Sequence, residues 1–339
     1  MDDILNIFRA LSDPTRLRIV LLLQKMELAV GELAQILDQS QPRISRHIRI
    51  LDEAGLAARR KEGSWVFLKP GPAAELEILG RIFRSEKVAQ SEQAVQDQAQ
   101  LSLVRKARAE MAERYFAAHA KEWDAIRSLH LPEAEVEGAM LALLQDAPLG
   151  KMLDIGTGTG RMIELFGAAA QSVVAIDNSP EMLRLARAKL LESETSSGSD
   201  IVQKTELKQG DFNHLPLQNS AVDSVILHQV LHYAQHPEAV LLEVSRVLKS
   251  GGLVLIADFA AHDREELRTD HAHARLGFSD DSMKHWLTAS KLELVQIKTL
   301  DGGALTVKIW VATKPAIPSL HSDSDRLASP AATLKRASA

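Results

Sequence analysis

Apolar residues at the start of the chain recur at helical spacing, with Ile4, Leu5, Phe8 and Leu11 on one face of a first helix. Asp13 before Pro14 is an N-cap followed by a first-turn proline, so a second helix starts there and runs over Pro14–Leu23. A third helix, over about residues 31–38, leads through Gln39 to Ser40, which caps a fourth, QPRISRHIRILDEA. That helix turns Ile44, Ile48 and Leu51 to one side and stops at Gly55, a left-handed terminator. Two short strands then flank Glu62-Gly63, with Arg59, Arg60 and Lys61 near the tip. Helix, short turn, amphipathic helix and basic hairpin follow in the order of a winged helix-turn-helix.

The pattern then changes twice. Residues 72–148 are rich in Ala, Glu, Gln and Arg with few breakers, and read as long helices. Leu76, Leu79, Ile82 and Phe83 suit packing on a partner chain, and the polar stretch from Glu86 to Gln100 suits a connector. Residues 149–314 alternate β-rich runs (173–176, 224–227, 253–257) with helical stretches, the pattern of a parallel α/β domain. Residues 194–200, ETSSGSD, read as a surface loop, and residues 315–339 as a Pro/Ser/Ala tail with too little apolar material to fold. The expected divisions are 1–70, a helical connector and dimerisation segment over 71–114, an α/β domain with its leading helices over 115–314, and the tail.

Composition narrows the chemistry. At roughly 150 residues per domain, a chain of this length holds about two. A hydrophobic share of 45% and a charged share of 25% exclude wholesale disorder. There is no run of 18 uncharged apolar residues, and the N-terminus is acidic and amphipathic, so neither a membrane span nor a secretory signal is expected. Cysteine is absent, which removes disulfides, thiolate metal sites and cysteine nucleophiles and agrees with a cytoplasmic location. The net charge of -5 confines any nucleic-acid binding to a local basic patch. One exists: between Gln41 and Lys61, six cations against Asp52 and Glu53 leave a local balance of +4. The outer face of the fourth helix carries Gln41, Arg43, Ser45, Arg46 and Arg49, side chains suited to base edges and phosphates.

ALSDPTRLRIVLLL, ELAQILDQSQPRISRHIRILDEAGL and the basic hairpin resemble, over about residues 4–70, the ArsR-type family of dimeric winged-helix repressors. Asp13-Pro14-Thr15-Arg16 and Ser40-Gln41 through Ser45-Arg46-His47 stand where that family has them. The resemblance implies a homodimer on a two-fold operator in double-stranded DNA, with Gln41, Arg43, Ser45, Arg46 and His47 at the DNA. Arg49, Arg59 and Arg60 extend this basic surface. His47 has a second reading, packing beside Ile44 and Leu51. Many members hold metal or arsenite through cysteines in a motif aligned with residues 27–33, where this chain has Ala29 and Gly31. Metal binding is therefore not expected.

In KMLDIGTGTGRMIELF a strand over residues 152–155 ends in Gly156-Thr157-Gly158-Thr159-Gly160 and passes into a helix. Such glycines let backbone approach a ligand at the carboxyl edge of a parallel sheet. A phosphate loop would need Gly-Lys-Ser/Thr after them, which is missing. A dinucleotide fingerprint beginning at Gly156 would need Gly or Ala where Arg161 stands, and Asp154 would repel a pyrophosphate. S-adenosyl-L-methionine (SAM), with a sulfonium, an ammonium and no phosphate, tolerates that acid. Asp177 ends the second strand about 20 residues on, suited to ribose hydroxyls in either kind of site. Gln209-Gly210-Asp211-Phe212 offers an acid and an apolar neighbour for adenine. A fourth strand (221–227) then leads to His228-Gln229-Val230-Leu231-His232. AVLLEVSRVLKSGG precedes a fifth strand, and residues 292–300 and 305–313 supply a terminal hairpin.

Over about residues 115–314 this order resembles the class I SAM-dependent methyltransferases of the small-molecule type. The resemblance implies Asp154, Gly156, Gly158 and Gly160 at the methionine end of SAM, and Asp177 with Asn178 at the ribose. Asp211 and Phe212 would contact the adenine, and His228 lies where the acceptor approaches the methyl group. Methyl transfer is an in-line displacement that needs alignment and sometimes a base. His228, His232 and Tyr233 are the candidate bases, each with a structural alternative as a cap after a strand. Residues 115–133 resemble a helical lid. Residues 264–278 would form a second, with Arg268, His271, His273 and Arg275 facing an anionic acceptor. The expected fold class is multidomain: an α+β winged helix-turn-helix, a helical connector and an α/β Rossmann-like class I methyltransferase domain. The expected function is a DNA-binding transcriptional regulator that methylates a small-molecule acceptor. The alternative is a non-catalytic sensor of SAM or S-adenosylhomocysteine that controls operator binding.

Overall fold

The carboxylate of Asp13 accepts the Arg16 amide at 3.0 Å and so fixes the start of the second helix, as its place before Pro14 requires. The computed structural model describes residues 2–62, 65–120, 133–197, 200–301 and 303–316. Helices α1 (Asp2–Leu11), α2 (Pro14–Leu23), α3 (Val30–Leu37) and α4 (Gln41–Glu53) enclose one apolar core. Ile44, Ile48 and Leu51 form the inner stripe of α4, and Gly55 ends the turn beyond it at φ +68°. Strands β1 (Leu28–Ala29), β2 (Ala57–Glu62) and β3 (Trp65–Pro70) make an antiparallel sheet in the order β1-β3-β2. The two-residue β1 is too short to leave a periodic signal. The pairing of β2 with β3 corrects one expectation: Arg59 and Arg60 stand opposite Leu68 and Phe67 in mid-strand, away from the tip.

The first helix is also turned relative to its pattern. Ile7 and Ala10 face the core, whereas Ile4, Leu5 and Phe8 are 55%, 44% and 49% exposed. The connector holds α5 (Glu77–Phe83), α6 (Glu86–Ala89) and α7 (Glu92–His119). Leu79 and Phe83 are buried in the N-terminal core with Leu101 and Val104 of α7, so of the four residues expected to meet a partner Leu76 and Ile82 stay exposed. Arg18 of α2 grips Asp97 of α7 with two hydrogen bonds, at 2.7 and 2.6 Å. Because α7 runs on to His119, the expected division at 114/115 falls inside one helix.

The C-terminal part follows as α8 (Glu133–Leu144), β4 (Lys151–Ile155), α9 (Arg161–Phe166), β5 (Ser172–Asp177), α10 (Pro180–Ser197), α11 (Ile201–Lys204) and β6 (Thr205–Gln209). It continues with β7 (Val222–His228), α12 (Pro237–Val247), β8 (Leu248–Phe259), α13 (Glu266–Asp270), α14 (Asp280–Ala289), β9 (Glu293–Leu300) and β10 (Val307–Thr313). The seven strands lie in the order β6-β5-β4-β7-β8-β10-β9, with β10 antiparallel to both neighbours. Alternate residues feed two cores: Met152, Val173, Ala175 and Leu255 on one face, and Leu153, Val174, Ile176 and Val254 on the other. Strands buried on both faces read as unbroken apolar runs, which is why these were legible. The polar TELKQ of β6 was not, because an edge strand is half solvated. The helix α10 also extends to Ser197, into the stretch expected to be a loop. Of the expected first lid, residues 121–132 lie outside the described residues, as does the tail from 317 on.

Candidate functional site

The chain turns to opposite sides of β4, toward β5 and β6 in one direction and β7 and β8 in the other. In open α/β sheets ligands bind at the carboxyl ends of the strands where the order reverses. A cavity of about 610 Å³ opens at this point. Gly156, Thr157 and Gly158 line it after β4, Asp177, Asn178 and Ser179 after β5, Asp211 and Phe212 after β6, and His228 and Val230 after β7. Gly156 sits at φ +69°, and a Cβ there would lie 2.2 Å from Val230 Cγ2, so no other residue fits. The Gly158 amide donates to Asp177 at 2.8 Å and the Ser179 amide at 2.9 Å. Burial pushes the Asp177 carboxyl above its ordinary value, against the pull of those amides.

Two of the expected cofactor residues stand behind the wall instead of in it. Asp154 is 1% exposed within β4, and Gly160 starts α9 against Ala186. Arg161, which breaks the dinucleotide fingerprint, grips Glu137 of α8 with two bonds, at 2.6 and 2.7 Å, and Glu164 at 2.8 Å. Among the described residues Thr157 Oγ1 is buried with no hydrogen-bond partner. That orphan oxygen, the glycine cradle and an acid at the end of β5 fit a nucleoside with hydroxyls and no phosphate. The fit to SAM is therefore good.

The three candidate bases differ in place. His228 and Tyr233 line the cavity, whereas His232 is 2% exposed behind it. Burial pushes the Tyr233 hydroxyl well above its ordinary pKa, which keeps its proton on, so it is placed to donate and not to act as a base. Phe116 meets its ring edge-on at 4.8 Å. Arg268 and Arg275 do not face the cavity as an anion site. Arg268 donates to the Ala274 carbonyl at 2.9 Å, and Arg275 is 5% exposed and donates to the Gln235 carbonyl at 2.6 Å. His271 meets the Tyr115 hydroxyl at 2.7 Å; burial pushes that hydroxyl up to about 12.

Sequence reasoning missed that the N-terminal part supplies a wall of this cavity through Met26, Arg105 and Arg108. Arg108 donates to Glu32 of α3 at 2.7 Å and to the cavity residue Gln235. Glu27 accepts from Arg60 at 2.8 Å and from Arg275 at 3.1 Å. Nothing local in the sequence marks contacts between residues some 250 positions apart.

On the candidate DNA face, Gln41, Arg43, Ser45, Arg46 and Arg49 are all exposed along α4. His47 is not with them: it is half-buried, its Nδ1 lies 3.8 Å from Asp13, and burial pushes its pKa down. Arg59 reaches Asp52 at 3.1 Å and stays half exposed. Arg60 stands differently from the α4 arginines: Glu27 accepts from its guanidinium at 2.8 Å, and the guanidinium lies 4.8 Å over the Phe67 ring. Among the described residues no three His, Asp or Glu side chains are grouped to hold a metal, and no helix is long and apolar enough to cross a membrane.

Residues 13–59 match the arsR family of bacterial regulatory proteins, and residues 153–256 match a methyltransferase domain family. The arsenical resistance operon repressor of Escherichia coli (strain K12) is 45% identical over 87 residues, 24% of this chain and 74% of that protein. The phosphatidylethanolamine N-methyltransferase of Cereibacter sphaeroides is 33% identical over 162 residues, 46% of this chain and 76% of that protein. Among solved structures, the Haloferax volcanii complex of the Trm112 methyltransferase activator with a methyltransferase contains a chain of similar fold. That likeness has a TM-score of 0.51 at 20% identity, covering 61% of this chain and 98% of the other.

Proposed function

The chain belongs to the arsR family of bacterial regulatory proteins through its N-terminal domain and to the class I SAM-dependent methyltransferases through its C-terminal domain, and from that premise we propose that it reads double-stranded DNA as a homodimer and transfers a methyl group to a small-molecule acceptor. The observation that carries the enzymatic half is the cavity at the strand-order reversal, with its glycine cradle and acid-ended β5. Gly156 and Gly158 would hold the methionine end of SAM against backbone, Asp177 and Asn178 the ribose, and Asp211 and Phe212 the adenine. SAM, when bound, supplies a methyl group on a cationic sulfur. His228 and Tyr233 shape the space beside it, and Phe116 helps to exclude water. Methyltransferase relatives favour this catalytic reading over a sensor without turnover.

The exposed arginines of α4 support DNA reading, and the exposed apolar residues of α1 and α5 support a second copy as their cover. Some relatives are named for arsenic resistance and one for arsenite methylation, but arsenite is bound through thiolates and this chain has none. Arsenite is therefore neither effector nor acceptor in this reading.

The wall donated by Met26, Arg105 and Arg108 supports linkage between the halves. Ligand in the cavity touches residues that also hold α3, so occupancy and DNA affinity move together, by the same factor in both directions. The test is calorimetry of SAM and S-adenosylhomocysteine, with and without DNA that the chain selects from a random pool. Binding of both ligands, with dissociation constants that change when DNA is added, is expected. Binding of NADH in place of SAM overturns the cofactor assignment, and unchanged constants overturn the linkage.

A further inference from the structure

Every residue assigned to SAM stands at the edge of the sheet, after β4, β5 or β6. Arg105, Arg108 and Phe116 of α7 also line the cavity, and they come from outside the sheet. They recur at helical spacing, so one face of α7 looks onto the cavity. A methyl acceptor has to fit between that face and a cofactor lying on the sheet edge.

The charges of the lining are unequal. Its acids among the described residues, Asp177 and Asp211, lie on the sheet side. On the α7 side, Arg108 is neutralised by Glu32, which takes two of its hydrogen bonds. Arg105 is not neutralised. Its guanidinium donates to the Lys25 carbonyl at 2.9 Å and has no carboxylate partner among the described residues. A guanidinium at a largely apolar cavity recruits a carboxylate, which matches two of its N–H groups.

A second group marks the reacting end. Gln229 follows His228 at the carboxyl end of β7, lines the cavity and is only 8% exposed. It stands at φ +49°, held there by its amide donating to the Ala257 carbonyl at 2.7 Å. Its carboxamide has no hydrogen-bond partner among the described residues. A buried polar group left so is costly unless a ligand completes it. No acid remains on this side to meet an ammonium group.

Resting on the methyltransferase reading above, we propose that the acceptor is a carboxylic acid with an apolar body, its carboxylate seated on Arg105 and its reacting end held by Gln229. The anion expected against Arg268 and Arg275 thus finds its cation on α7. Phe116, edge-on to Tyr233 at 4.8 Å, packs on the apolar body. Arg105 and Phe116 stand three turns apart, about 16 Å along the helix axis, so the acid has to be elongated.

The test is calorimetry on the full chain saturated with S-adenosylhomocysteine. The probes are 3-phenylpropionate, 4-phenylbutyrate, and the amide and amine of each skeleton. The acids are expected to bind, the amides about 10-fold or more weakly, and the amines not at all. Arg105→Met, at an exposed position, should weaken the acids about 10- to 100-fold, the usual size of a charge-assisted hydrogen bond, and Arg105→Lys should recover part. Gln229→Leu should weaken them about 3- to 10-fold at an unchanged melting temperature. Affinity for S-adenosylhomocysteine should hold in all three variants. Acids that do not bind, or amides or amines that bind as tightly, overturn the proposal. An equal loss of acid and of S-adenosylhomocysteine affinity in Arg105→Met puts the arginine on the cofactor's own carboxylate and overturns it too. A wild-type chain that binds no S-adenosylhomocysteine defeats the methyltransferase reading instead, and the acids titrated into that chain still decide whether Arg105 seats a carboxylate.

Discussion

The two halves of this molecule keep their chemistry in opposite places. In α4 the working groups are exposed side chains: Arg43, Arg46 and Arg49 project to solvent while Ile44, Ile48 and Leu51 anchor the opposite face. In the cavity the working groups are backbone turns and buried acids: Gly156 and Gly158 at positive φ, and Asp177 held by two amides. A helix face needs only its own periodicity to exist. The glycine turn also needs Val230, which follows a strand about 70 residues on, pressed against it. The wing arginines fall between the two cases. Their charge suits DNA, but Arg60 is drawn into the junction by Glu27, where Arg275 from the C-terminal part also ends.

The junction is where this contrast breaks first. Glu27→Gln removes the carboxylate shared by two guanidiniums, one of them that of Arg275, which has 6% side-chain exposure. Breaking a buried pair from one side costs about 3–5 kcal/mol, and the partial exposure of Glu27 puts the loss here at about 3. Urea denaturation of the full chain should show it, and Arg275→Met in the same background should recover part of it.

A smaller effect separates the two sets of arginines. Arg43→Ala and Arg46→Ala should each weaken binding to selected DNA by about 1–3 kcal/mol if a bidentate base contact is lost. Arg60→Ala should leave DNA affinity close to wild type, because its guanidinium is already committed. Titration by fluorescence anisotropy at fixed salt decides this, and equal losses at all three positions would put Arg60 back among the DNA contacts.

The smallest effect is acid sensitivity, with one carboxylate on each side. The Lys249 ammonium, at 2.7 Å, holds the Asp223 carboxyl below its ordinary value, with help from the Lys151 amide. Burial pushes Asp13 up, but the Arg16 amide and nearby His47 and Arg16 bring it lower overall. A depressed carboxyl stabilises the fold above the unfolded-state value, and that stability is lost as pH falls through the folded one. For Asp223, about one-third exposed, the loss on acidification should be only about 0.5–1 kcal/mol. Asp223→Asn should flatten that part of the stability–pH curve below about pH 4. An unchanged curve would show that the Lys249 pair contributes nothing.

Local order fixed a good deal of this protein. The cap at Asp13, the stripe of α4, the glycine turn after β4 and the central strands each follow from a few neighbouring residues, and each stands where its pattern put it. What depended on partners far along the chain had to wait for the tertiary structure. The apolar pattern of α1 cannot say which of its faces meets the core, and a polar edge strand such as β6 has no periodicity to announce it. Asp154, Gly160 and His47 sit beside the expected sites, but packing turned them inward. Glu27 meeting Arg275, Arg108 reaching Gln235 and Asp258 orienting His232 were likewise decided in space. The physical reason is range: capping, helical periodicity and glycine turns act over about four residues, whereas ion pairs and buried acceptors obey distance alone, whatever the separation in sequence.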